Sequence, residues 1–95
     1  MPVKTTKWDP AKYLESPKDV MAYLEAAFED GDPALIAAAL GDIARAKGMT
    51  RVARDAGLSR ESLYKALSGD RSPSFDTILK VVEALGLSLH AKATN

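Results

Sequence analysis

The stretch TRVARDAGLSRESLYKAL, residues 50–67, decides the fold, because it reads as two short helices joined by a tight turn that holds one glycine. Val52, Ala53 and Ala56 make an apolar face on the first helix, small enough at its centre for the second helix to cross closely. Gly57 supplies a turn residue that can take φ > 0 without a Cβ penalty. Leu58 fills the angle between the helices, and Ser59 caps the second one. Leu63, Ala66 and Leu67 point inward, which leaves Ser59, Arg60, Glu61, Ser62, Tyr64 and Lys65 outward. That outer surface carries hydrogen-bonding and cationic groups suited to base edges and phosphates, as in a nucleic-acid-reading helix-turn-helix. The same small-residue corner also suits a helical hairpin that never meets DNA.

The chain of 95 residues, 46% hydrophobic, has the size of one domain with a modest core. With no cysteine there is no disulfide framework, and MPVKTTKW lacks the apolar run of a signal peptide. The longest hydrophobic tract, the alanine-rich residues 34–40, is far short of the roughly 20 residues of a membrane span. A cytoplasmic protein with no membrane partner is expected. The formal net charge of zero conceals an asymmetry: residues 1–44 hold 4 Lys or Arg against 8 Asp or Glu, and residues 45–80 hold 8 against 4. The cationic excess therefore surrounds the two-helix unit, where phosphate neutralisation would use it, and the acidic excess precedes it. Charged solvated faces are common on any helix, so the split gains its meaning from the motif.

Outside the motif, helix punctuation is dense. Ser16, Pro17 and Asp19 form a start signal for a helix to about Asp30, with Val20, Met21, Leu24, Ala27 and Phe28 as its buried stripe and Gly31 as its stop. Asp32 and Pro33 repeat the signal for a helix that buries Leu35, Ile36, Ala39, Leu40 and Ile43 and ends at Gly48, after Arg45 and Lys47. After the motif, Ser68 and Gly69 end its second helix, and Asp70 to Pro73 form a polar loop in which Arg71 is placed for a phosphate. Ser74 caps a last helix with Phe75, Ile78, Leu79, Val82 and Leu85 inward, stopped by Gly86. An all-α fold of five main helices is expected.

The ends differ from the bundle. Leu87, Leu89, Ala91 and Ala93 alternate with Ser88, His90, Lys92 and Thr94, a period of two that reads as a short strand. Its partner would be residues 3–8, the same segment of a second subunit, or another protein's sheet edge; a frayed tail is the remaining reading. Asp9 and Pro10 look like the start of a helical turn carrying Tyr13 and Leu14, with Trp8 as a staple. Three parts follow: an N-terminal extension, 1–15; the helix-turn-helix domain, 16–86; and a strand or tail, 87–95.

Residues 50–67 followed by SGDRSPSFDTILKVVEALG, residues 68–86, resemble the Xre family of lambda-repressor and Cro-like helix-turn-helix domains. The lead-in, WDPAKYLES at 8–16 and GDPALIAAALGDIARAKGMT at 31–50, is similar to HigA-like addiction-module antidote proteins, and this second resemblance spans nearly the whole chain. It implies a lambda-repressor-like five-helix bundle and an antitoxin of a type II toxin-antitoxin module. Such a protein neutralises a basic, RelE-like, mRNA-cleaving toxin by binding it and represses its own operon. The acidic first half would complement that toxin, which makes Trp8, Tyr13, Glu25, Glu29 and Asp30 candidate toxin contacts. Asp32 is also the cap of the second helix, and the acidic residues sit where any surface helix carries charge. Many Xre domains place a phosphate-binding glutamine at the start of the motif; this chain instead reads Met49, Thr50, Arg51, so Thr50 or Arg51 would have to make that contact.

Among the outward residues Arg60 ranks first for base contact, with Lys65 also able to donate to guanine O6 and N7 and Glu61 able to accept from cytosine N4. Ser59, Ser62 and Tyr64 meet base or phosphate, while Arg51, Arg54 and Arg71 position the protein on the backbone. Arg60 could instead pair at the surface with Glu61 or Asp55. One such motif reads half of a palindromic operator, so a homodimer on double-stranded DNA is expected, formed through the C-terminal strand or an apolar face of the last helix, either in free solution or only on DNA or through the toxin. A stand-alone Xre repressor without a toxin and a purely protein-binding adaptor are the competing readings. Catalysis is not expected, since His90 is the lone histidine, no phosphate-cradling glycine loop exists and the carboxylates follow caps and solvent faces. No cofactor or metal is expected.

Overall fold

The computed structural model describes residues 13–70 and 72–94. Five α-helices follow one another: α1 Pro17–Asp30, α2 Pro33–Lys47, α3 Met49–Ala56, α4 Arg60–Ala66 and α5 Phe75–Ala84. No strand occurs among the described residues. The caps act locally, as their residue types dictate. The side chain of Ser16 accepts from the Asp19 amide at 3.1 Å, and Asp32 from the Ala34 amide at 3.0 Å. Ser59 and Ser74 do the same for α4 and α5, accepting at 3.0 and 3.1 Å. Each satisfies one of the amides that a helix start leaves without an intrahelical acceptor.

The α3–α4 connection shows how sequence sets a corner. Gly57 adopts φ 75°, and the Leu58 amide reaches back to the Ala53 carbonyl at 2.8 Å. That bond closes α3 in a left-handed cap which a side chain at position 57 would strain. Leu58 packs on the core, and Ser59 then starts α4. One boundary differs from the sequence reading: α3 begins at Met49 rather than Thr50, because Gly48 alone breaks the chain and Met49 is already buried.

The core lies where α2 and α3 meet the other helices, α1 packing on α2, α4 on α3, and α5 on both. Leu40, Ile43, Val52, Leu63, Val81 and Val82 are its largest fully buried side chains. Burial of each stabilises the fold by about 1.5–3 kcal/mol relative to exposure. Gly41 has a packing reason: a Cβ there would lie 2.8 Å from the Leu67 carbonyl oxygen, so the missing side chain lets the end of α4 approach α2. Across α1 and α2, the Tyr23 hydroxyl donates to Asp42 Oδ2 at 2.6 Å, while Arg45 Nη2 donates to Asp42 Oδ1 at 2.6 Å. Burial, the bond to Asp42 and the charge of Asp42 push the Tyr23 hydroxyl up to about 12, with the Arg45 charge opposing.

Several apolar residues assigned to the core by periodicity lie elsewhere. Met21 and Phe28 on α1 are 60% and 39% exposed, and Leu35 on α2 is exposed. On α5, Phe75 and Leu79 are 68% and 37% exposed, and Val81 takes the buried place beside Val82. The reason is geometric: α1 has α2 alone as a substantial neighbour, which covers Val20, Leu24 and Ala27 and leaves the adjacent face open. The C-terminal segment, expected as either a strand in need of a partner or a tail, finds no partner strand among the described residues. Residues 87–94 form no strand, and beyond the Leu87 amide, which closes α5 on Val82, their backbone makes no backbone hydrogen bond among the described residues. Their alternation survives at its start, where Leu87 and Leu89 are half-buried against the core and Ser88 and His90 are exposed.

Candidate nucleic-acid interface

Helix α4 is seven residues long and spends its inward side on Leu63, which is fully buried, with half-buried Ala66 and then Leu67 just past its end. All the residues read as outward, Ser59, Arg60, Glu61, Ser62, Tyr64 and Lys65, are exposed. Spacing of four brings Arg60 and Tyr64 together: the guanidinium carbon stands 5.5 Å from the ring centre, and Nη2 lies 3.4 Å from the Tyr64 hydroxyl. The stack narrows the rotamers of the arginine while leaving most of its donor fork outward. Arg60 therefore uses Tyr64 as its partner, not Glu61 or Asp55.

Ser59 and Ser62 are partly committed to one another. Ser59 Oγ takes the Ser62 amide and lies 2.9 Å from Ser62 Oγ, so the first serine holds the helix start and the second keeps hydrogen-bonding capacity. Glu61 sits in the first turn of α4, where its charge suits the helix dipole, and Lys65 sits in the last turn. Beside them runs a recess between α4 and the start of α5, lined by Ser62, Lys65, Ser72, Ser74 and Thr77. Hydroxyls and one ammonium are the complement of an anionic oxygen.

On α3, Thr50, Arg51 and Arg54 are exposed. Both arginines share Asp55, at 4.0 and 3.9 Å, the outer limit of an ion pair. Exposed pairs at that distance contribute at most about 1 kcal/mol, so the guanidinium groups remain available to a stronger anion. Arg71 and Trp8 lie outside the described residues. Tyr13, Glu25, Glu29 and Asp30 are exposed and belong to other elements than α4: the three acids are on α1, which packs on α2, and Tyr13 precedes α1. Among the described residues no group of three or more His, Cys, Asp or Glu side chains could hold a metal, and no helix is long and apolar enough to cross a membrane.

Sequence reasoning missed one assembly, a groove between α1 and the C-terminal tail lined by Met21, Glu25, Phe28, Glu29, Leu87 and Leu89 among others. Its signal was present. The α1 stripe holds two adjacent apolar pairs, Val20 with Met21 and Ala27 with Phe28, too wide for one neighbouring helix.

Fold and surface together define a small all-helical domain with a short, exposed, arginine-bearing helix and a second, acidic-edged apolar groove. Residues 4–93 match the profile of a family described as probable addiction module antidote proteins, and the chain belongs to that family. It is 47% identical over 85 residues to an uncharacterized protein of Haemophilus influenzae, covering 90% of this chain and 88% of that one. No solved structure matches the chain significantly.

Proposed function

We propose that this protein is the antitoxin of a type II toxin-antitoxin module, binding and neutralising a RelE-like mRNA-cleaving toxin and repressing its own operon by binding operator DNA. The observation that carries the reading is the coincidence of an antidote-family match over residues 4–93 with an α3–turn–α4 unit that turns Arg60, Tyr64 and Lys65 outward. In this reading the chain is HigA-like, and residues 16–86 form a lambda-repressor-like, Xre-type DNA-binding domain. The flanks, 1–15 and 87–95, serve protein contacts.

On DNA, α4 lies in the major groove. Arg60, ordered by its stack on Tyr64, and Lys65 donate to guanine O6 and N7, and Glu61 accepts from cytosine N4. Ser62, Tyr64 and Ser59 add hydroxyls, while Thr50, Arg51, Arg54 and Arg71 meet phosphates and set the register. A palindromic operator requires two such helices about 34 Å apart, hence a homodimer. Phe75 and Leu79, exposed one turn apart on α5, support that helix as the seam.

Two measurements test the reading. The adjacent reading frame should encode a basic protein of about 100 residues, and co-expression of this chain should restore growth to cells making it. Binding to the operator duplex should weaken steeply with salt. DNA binding without growth rescue would leave a stand-alone repressor, and rescue without DNA binding would leave a protein-binding adaptor.

A further inference from the structure

The groove beside α1 has a composition that specifies its occupant. Met21, Glu25, Phe28 and Glu29 stand at i, i+4, i+7 and i+8 of one helix face, so two large apolar side chains lie beside two carboxylates. Leu87 and Leu89 form the opposite wall. Met21 is 60% exposed, more than a side chain of its size retains when the fold itself uses it. Neither Glu25 nor Glu29 is ion-paired among the described residues, although Lys92 lies at the same groove. Along the tail, residues 88–94 offer backbone donors and acceptors with no backbone partner among the described residues, and at its start half-buried Leu87 and Leu89 alternate with exposed Ser88 and His90. Backbone left unpaired in this way can accept an added strand.

We infer that this groove docks an extended, cationic segment of the protein that the antidote counters. The apolar side chains of that segment sit against Met21, Phe28, Leu87 and Leu89. Its lysines or arginines meet Glu25 and Glu29, and its backbone pairs with the tail. This inference rests on the antitoxin reading and adds to it the place and chemistry of the contact. Charge selects the occupant: a second copy of the chain would bring the same two carboxylates to the same groove, whereas a basic segment neutralises them. The groove also lies off α4, so the partner and DNA can be held together.

The test uses the full chain and the purified product of the adjacent reading frame, with affinity measured by calorimetry. Met21→Ser with Phe28→Ser, and separately Glu25→Gln with Glu29→Gln, should each weaken binding about tenfold or more, with operator binding unchanged. The Glu pair should also flatten the salt dependence. Both sets alter exposed positions, and thermal unfolding checks that the fold is retained. Hydrogen exchange on the wild-type complex should show new protection at amides of residues 88–94. If wild type binds and both double variants bind equally well, the groove inference fails and the antitoxin reading stands. If those amides become protected in the free protein as its concentration rises, the occupant is a second copy and the inference fails. If wild type does not bind the adjacent product at all, the antitoxin reading fails and the inference falls with it.

Discussion

The α3–α4 unit and the α1 helix use apolar residues in opposite ways. In α3–α4 the inward residues are buried or half-buried and the polar ones lie outside, so the unit has no apolar surplus and presents a hydrophilic, cationic face. In α1 the apolar stripe is wider than its neighbour, and Met21 and Phe28 remain at the surface beside carboxylates. One small core thus carries two surfaces of different chemistry. One presents cations and hydrogen-bonding groups, which suit a polyanion; the other presents apolar area beside negative charge.

The comparison breaks first at the core they share. Leu63→Ala removes a fully buried side chain from the inward side of α4 and should cost about 2–5 kcal/mol, read by thermal or urea unfolding. A loss under about 1 kcal/mol would mean that α4 is not anchored as described. Next in size is Arg60→Ala, expected to cost about 1–3 kcal/mol in operator binding and to relax specificity at one base pair, whereas Arg71→Ala weakens all duplexes alike. Titrations against specific and scrambled DNA read the contrast, and identical behaviour of the two would dissolve it.

Tyr23→Phe comes third, at about 1–2 kcal/mol of stability, since Asp42 loses a donor at the α1–α2 seam. The same residue has an alkaline signature. Its hydroxyl is pushed from 10.0 to about 12, so the fold favours the neutral phenol. That stabilisation is complete below pH 10, declines as pH rises above it, and is gone once pH passes about 12; the Phe variant should lack this dependence in unfolding curves. Smallest is the effect of Met21→Ser with Phe28→Ser on stability, within roughly 0.5 kcal/mol for each exposed site, against a loss of partner binding. A large drop in melting temperature would instead place both residues in the core.

What could be read without coordinates was local. Cap residues and turn glycines act over two to four positions of chain, so Ser16, Asp32, Ser59 and Ser74 marked the helix starts and Gly57 the corner before any packing was known. The outward face of α4 followed from the same short-range periodicity. Burial is not local: Met21 and Phe28 of α1 and the α5 positions Phe75 and Leu79 met the spacing for a core, and only the arrangement of neighbouring helices determined that they stay exposed. The Tyr23–Asp42 bond, the approach of α4 over Gly41 and the groove between α1 and the tail join residues far apart in sequence. A strand likewise needs a partner to exist, so the alternating tail could announce its pattern while the tertiary structure left its edge unpaired.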